Sequence, residues 1–159
     1  MKVFPASDRN TPTHKFLFLD FDGVLHPNNA SPGEWFCRMP LLEAAVGTQV
    51  IQIVVSSSWR FHHAKGELIK HFPPKLRSQI VGVTGPPVIG KHARWNEILT
   101  YVKLHQIRDW RALDDSHFEF PHPCEQLIAC DGANGLRQKQ QDELTEWCLE
   151  KYVAKQNND

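Results

Sequence analysis

The apolar run Phe16-Leu17-Phe18-Leu19 stops abruptly at Asp20-Phe21-Asp22-Gly23. Four consecutive large apolar side chains do not alternate between core and water, so the run suits a strand buried on both faces, as in a parallel sheet covered by helices. Two carboxylates two residues apart at the end of such a strand can serve one site, and Gly23 lets the chain turn away sharply. An Asp-x-Asp pair alone is common in turns and calcium loops. Its place after a buried strand is what singles it out.

The rest of the chain alternates in the same manner. Residues 23–40 are rich in Pro, Asn, Ser and Gly and read as a loop or small flap. A short helix over 39–46, closed by Gly47, precedes a β-branched run at 50–55 that ends in Ser56-Ser57-Ser58. A helix is expected over 61–71, before Pro73-Pro74, and a strand over 80–83. Trp95, Ile98, Leu99, Val102 and His105 recur at three- and four-residue spacing, which predicts a helix over 91–106. A fourth strand at 110–113 runs into Asp114-Asp115, a fifth spans 127–130, and a last helix starting at 136 or 138 reaches 153 with Leu144, Trp147, Cys148 and Tyr152 inward. The expected fold is therefore α/β: a three-layer, Rossmann-like domain with a central parallel five-stranded sheet and ligands beyond the carboxyl ends of its strands.

With 159 residues, of which 41% are hydrophobic, one domain over 1–159 is expected, with a loosely packed start over about 1–14 and a frayed end over about 155–159. Eighteen basic residues balance eighteen acidic ones, so any attraction for a polyanion must be local. No segment has the apolar length of a membrane span and the start lacks a secretory run, which points to a cytoplasmic protein without a membrane partner. Four scattered cysteines form no CxxC pair, and the proline-broken cluster of His117, His122 and Cys124 reads as loop chemistry ahead of a zinc site.

The strand ends carry the chemistry. Ser56 and Ser57 can offer hydroxyl and backbone donors to an anion, or cap the turn before Trp59. Lys91 stands at a helix start, where a phosphate can settle, with Arg94 one turn later as the alternative cation. If the sheet brings Asp114 and Asp115 beside Asp20 and Asp22, the mutual repulsion of the carboxylates raises their pKa values or demands a cation, and a hard divalent ion such as Mg2+ suits oxygen ligands.

These pieces, in this order, resemble the four motifs of the haloacid dehalogenase (HAD) superfamily. More narrowly, VVSSSWR, the helix with Arg94, Glu97 and Ile98, the segment ALDDS and Gly135-Leu136 resemble small HAD domains associated with RNA repair. The resemblance implies a Mg2+-dependent phosphatase in which Asp20 attacks phosphorus and Asp22 protonates the leaving oxygen, then activates water. It also implies that Ser56 or Ser57 and Lys91 or Arg94 hold the phosphoryl group. Asp20, the Asp22 carbonyl, Asp114 and Asp115 would hold the metal. A dehalogenase expels a halide that needs no proton, so Asp22 favours phosphoryl transfer.

Neither 23–49 nor 84–90 is long enough for a folded cap, so a bulky phosphorylated substrate is expected, such as a nucleic-acid end or phosphoprotein. Trp35, Phe36, Arg38, Trp59 and Arg60 could stack on a base or grip a phosphate, although Trp59 in the core and Arg60 on a carboxylate is the preferred reading. A catalytically idle phosphate-binding module is the alternative function; it would need neither Asp20 nor Asp22.

Overall fold

The computed structural model describes residues 13–153. Most of the expected loose start and all of the frayed end over 155–159 lie outside those residues. Five parallel strands form one sheet: β1 (Lys15–Leu19), β2 (Gln52–Val55), β3 (Ile80–Val83), β4 (Asp109–Asp114) and β5 (Leu127–Ala129), in spatial order β3-β2-β1-β4-β5. The helices are α1 (Met39–Val46), α2 (Lys65–Ile69), α3 (Pro74–Arg77), α4 (Ala93–Leu104) and α5 (Gln138–Leu149).

Successive side chains of β1 feed opposite layers, as the pleat requires. Leu17 and Leu19 join Ile53, Val55, Leu113 and Ile128 beneath α1, α2, α3 and α5. Phe18 joins Val54 and Ala112 beneath α4, where Ile98, Trp110 and Phe120 complete a second core. The result is the expected three-layer arrangement, with Leu17, Leu19, Ile53 and Val55 filling one face of the sheet and Phe18, Val54 and Ala112 the other.

Several extents differ from the sequence reading. The helix expected over 61–71 is a 3-10 turn at Ser58–Phe61 followed by α2, because Ser57 caps a turn immediately after β2 and Ala64 is extended. Pro74 does not merely stop a helix; it opens α3 from the first turn, where its missing N–H costs nothing. Helix α4 begins at Ala93, since His92 has a left-handed backbone (φ 55°), and His105 is exposed beyond its end. Val50 is 75% exposed and precedes β2, while α5 ends at Leu149 and leaves Tyr152 outside, 40% exposed.

The chain runs β1-β2-β3 toward one edge, then returns to lay β4 and β5 on the other side of β1. The point of reversal beside β1 is where a parallel sheet opens a crevice at its carboxyl end. Among the described residues there is no cap: the β1–β2 connection holds a 3-10 turn at Pro32–Glu34 and α1, whose Leu42, Ala45 and Val46 are buried in the core. Residues 84–92 contain no helix or strand. Among the described residues no helix is long and apolar enough to cross a membrane.

Candidate active site

The register aligns Leu19 with both Val55 and Leu113, so the residues that follow emerge together at one end of the sheet. Backbone bonds carry the ladder one step further: Asp20 N–H donates to the Leu113 carbonyl at 3.1 Å, and Ser56 N–H to the Leu19 carbonyl at 2.9 Å. Asp20 is thereby set beside Asp114. Carboxylate oxygens of Asp20, Asp114 and Asp115 all lie within 4.8 Å of one another. Among the described residues this is the one group of three His, Cys, Asp or Glu side chains close enough to share a metal ion, and His117, His122 and Cys124 form no such group.

Burial and the neighbouring Asp114 charge push the Asp20 carboxyl up to about 8, against the opposing pull of Arg94. Burial also raises Asp114, and Arg94 again works the other way. The Cys130 thiol is raised by burial and by the charges of Asp114, Asp115 and Asp20. Three crowded carboxylates with one guanidinium are short of positive charge, and an all-oxygen donor set is what a hard divalent cation prefers. The residues present therefore fit Mg2+.

Arg94 supplies the protein's own cation. Its Nη1 donates to Asp114 Oδ2 at 2.8 Å and lies 3.4 Å from Asp20 Oδ1. Burial opposes its charge, but Asp114, Asp20 and Glu97 outweigh that and raise it further. Lys91 is exposed, ahead of α4, and makes no ion pair with these carboxylates among the described residues; it lines a separate cleft of about 880 Å3 with His92, His117 and His122. Of the two cations weighed from sequence, only Arg94 meets Asp20.

Buried Glu97 supports this arrangement. Its Oε2 pairs with Arg60 Nη2 at 2.6 Å and Arg94 Nε at 3.8 Å, while Oε1 accepts from Val88 N–H at 3.1 Å. Arg60 Nη1 also donates to the carbonyls of Ser56 and Ser57 at 2.7 and 3.0 Å. Arg60 is thus a brace between the serine turn and α4. The two serines differ as well: Ser57 Oγ accepts from Trp59 N–H, whereas Ser56 Oγ is buried without a partner, as is Thr84 Oγ1 at the end of β3.

Asp22 stands apart from the acidic triad. Its side chain, 47% exposed, accepts from Trp59 Nε1 at 3.0 Å on Oδ2 and lies 2.8 Å from His26 Nε2 through Oδ1. Trp59 therefore packs against the core and reaches the site with its indole N–H. Trp35 rests edge-on against it, 43% exposed, and Phe36 stacks on His71 at 4.3 Å. Arg38 donates through Nε to the Asn134 carbonyl.

Sequence reasoning passed over Asn28, whose Nδ2 donates to Asp115 Oδ2 at 2.9 Å and whose N–H donates to the Gly132 carbonyl at 2.8 Å. It also passed over His26, Glu97 as a brace, and Gly132, where a side chain would run into Asp115 and Asn28. A polar side chain in a proline-rich loop is an ordinary turn signal, so nothing local marked Asn28.

No curated protein and no solved structure matches the chain. A family model described as the HAD domain in Swiss Army Knife RNA repair proteins matches residues 16–141, from the first strand into the last helix. This range takes in Asp20, Ser56, Arg94 and the Asp114-Asp115 pair, and on that match the chain belongs to the family of HAD domains of Swiss Army Knife RNA repair proteins.

Proposed function

We propose that the chain is a phosphomonoesterase in which Asp20 is the nucleophile and Asp22 the acid and base, acting on a phosphorylated nucleic-acid end. The observation that carries the reading is the convergence of Asp20 with Asp114, Asp115 and Arg94 at the carboxyl end of β1, with a second carboxylate two residues on. A phosphate-binding module would need neither nucleophile nor acid.

In this reading an Asp20 oxygen bonds to phosphorus while the bond to the leaving oxygen breaks, and Asp22 delivers a proton to that oxygen. Asp22, left as carboxylate, then takes a proton from the water that hydrolyses the aspartyl phosphate. Arg94 neutralises charge on Asp20 and the transferring group, and the partnerless Ser56 hydroxyl is a donor for a phosphoryl oxygen. Asp20, Asp114 and Asp115, with the Asp22 carbonyl, would hold Mg2+, which supplies positive charge against the phosphoryl oxygens when bound. The capless site leaves room for a polymer, and the family's link to RNA repair favours a nucleic-acid end over a phosphoprotein.

The test is hydrolysis of oligonucleotides phosphorylated at the 3' or 5' end, beside phosphopeptides and small phosphoesters, with Mg2+ and with EDTA. Turnover should require the metal and vanish in Asp20→Asn. Full activity in that variant would remove the mechanism, and a preference for small metabolites or phosphopeptides would remove the substrate class.

A further inference from the structure

His26 is 1% exposed, at the back of the Asp22 loop against the rings of Trp35, Phe36 and Trp59. A buried imidazole needs partners for both nitrogens, and it has them. Its Nδ1 accepts the Phe36 N–H at 3.3 Å, and its Nε2 lies 2.8 Å from Asp22 Oδ1. A backbone N–H can only donate, so Nδ1 carries no proton, and Nε2 must carry it and donate to Asp22.

Phe36 bears a cost for this contact. Its φ is 63°, a left-handed backbone that disfavours a bulky side chain by about 1 kcal/mol or more. That conformation aims its N–H at His26, and stacking on His71 and edge contacts to Phe21 and Trp59 hold it. Strain of this kind persists where surrounding structure over-determines it.

We infer that His26 is a positioning residue for Asp22, fixing Oδ1 as a permanent acceptor so that the transferable proton sits on Oδ2. The inference rests on the acid role of Asp22 proposed above. Because the Phe36 N–H blocks the other tautomer, His26 cannot accept a proton from Oδ1. Oδ2 takes the Trp59 N–H on one lone pair and has the second for a proton. As Asp20 bonds to phosphorus and the ester P–O bond breaks, the proton on Oδ2 passes to the leaving oxygen and Asp22 is left as carboxylate. Without His26 the carboxyl group loses its orientation, and only leaving groups that need a proton suffer.

The experiment measures kcat/KM of the full chain with Mg2+ on p-nitrophenyl phosphate, whose phenolate departs unprotonated, and on an alkyl phosphate, whose alkoxide does not. This ratio reports phosphoryl transfer to Asp20 and excludes the later hydrolysis. His26→Phe should lower alkyl phosphate turnover by roughly 100-fold and p-nitrophenyl phosphate turnover by less than roughly 3-fold, with the same bias in Asp22→Asn. His26→Gln, which keeps an N–H, should regain part of the loss. Equal losses on both substrates, or none, would overturn the inference. Should His26→Phe not fold, His26→Gln and 15N NMR of the unaltered chain at neutral pH decide: the proton belongs on Nε2, and a proton on Nδ1 refutes the arrangement. Failure of the unaltered chain to hydrolyse these esters and the phosphorylated oligonucleotides alike would instead remove the phosphatase reading.

Discussion

Arg94 Nη1 meets Asp114 Oδ2 at 2.8 Å, joining the start of α4 to the end of β4 across the mouth of the site. The same nitrogen lies 3.4 Å from Asp20 Oδ1, so one guanidinium offsets two buried carboxylates. A guanidinium suits this place better than an ammonium, because its fork can meet Asp114, Asp20 and Glu97 at once.

Arg94→Ala should therefore lower kcat/KM for a phosphomonoester by about 100-fold or more, the range for losing a charged donor at a transferring group. Lys91→Ala, on an exposed side chain outside the triad, should stay within about 3-fold on small phosphoesters. Steady-state kinetics on both variants check the pair. A larger loss in Lys91→Ala than in Arg94→Ala would reverse the assignment.

The raised Asp20 carboxyl has a consequence for stability in EDTA. A group whose folded pKa is near 8, above the ordinary 3.8, binds more protons folded than unfolded between those values. Stability from this group is fully present below about pH 4 and is lost as the pH rises through about 8. Asp114, raised by burial, adds in the same direction. Thermal melts in EDTA should show Asp20→Asn gaining on the unaltered chain from pH 4 to pH 8, and Mg2+ should close that gap. A difference in Tm that does not change with pH would contradict the electrostatic account.

The strand ends at Asp20, Ser56 and Asp114 were readable because a polar residue there halts a short apolar stretch, and Leu19-Asp20 and Leu113-Asp114 mark adjacent ends of one sheet. The choice between Lys91 and Arg94 was not readable. It depends on the left-handed His92, which delays the helix to Ala93 and sets Arg94 in its first turn facing β4. Asn28 was hidden for a different reason: its partner Asp115 is 87 residues away, and only the path of an irregular loop brings them together. His26 reads from sequence as one polar residue in a turn-rich loop, since the acceptor role of its Nδ1 follows from the unusual backbone of Phe36.

Asp109 tests whether stability and chemistry are separable in this fold. It lies at the opposite end of β4 from Asp114, where Lys15 Nζ donates to Oδ2 at 2.7 Å and Trp147 Nε1 to Oδ1 at 2.9 Å. The contacts pin β1 and α5 to β4 far from the site. Asp109→Ala leaves an ammonium 12% exposed and a buried indole N–H without their acceptor, which should cost about 3 kcal/mol. Denaturant titration should show that loss, while kcat/KM below the unfolding transition stays within about 2-fold. A large kinetic defect in a folded variant would tie this end of the sheet to the reaction.

Gly23 gives the sharpest test of Asp115 as a metal ligand. Its φ of 72° already disfavours any side chain, by about 1 kcal/mol for alanine. The position of the missing Cβ matters more: it would collide with the Asp115 carboxylate and crowd the Asn28 side chain that steadies it. Gly23→Ala must displace one or the other. If Asp115 helps hold Mg2+, the variant should bind the ion roughly 10- to 100-fold more weakly, as when support for a ligand is lost. Isothermal titration with Mg2+ reads this directly, and the Mg2+-induced rise in Tm should shrink with it. Asp115→Asn should weaken binding in the same way without the backbone penalty. Unchanged Mg2+ affinity in both variants would leave Asp20 and Asp114 as the metal-binding pair and Asp115 as a hydrogen-bond acceptor for Asn28.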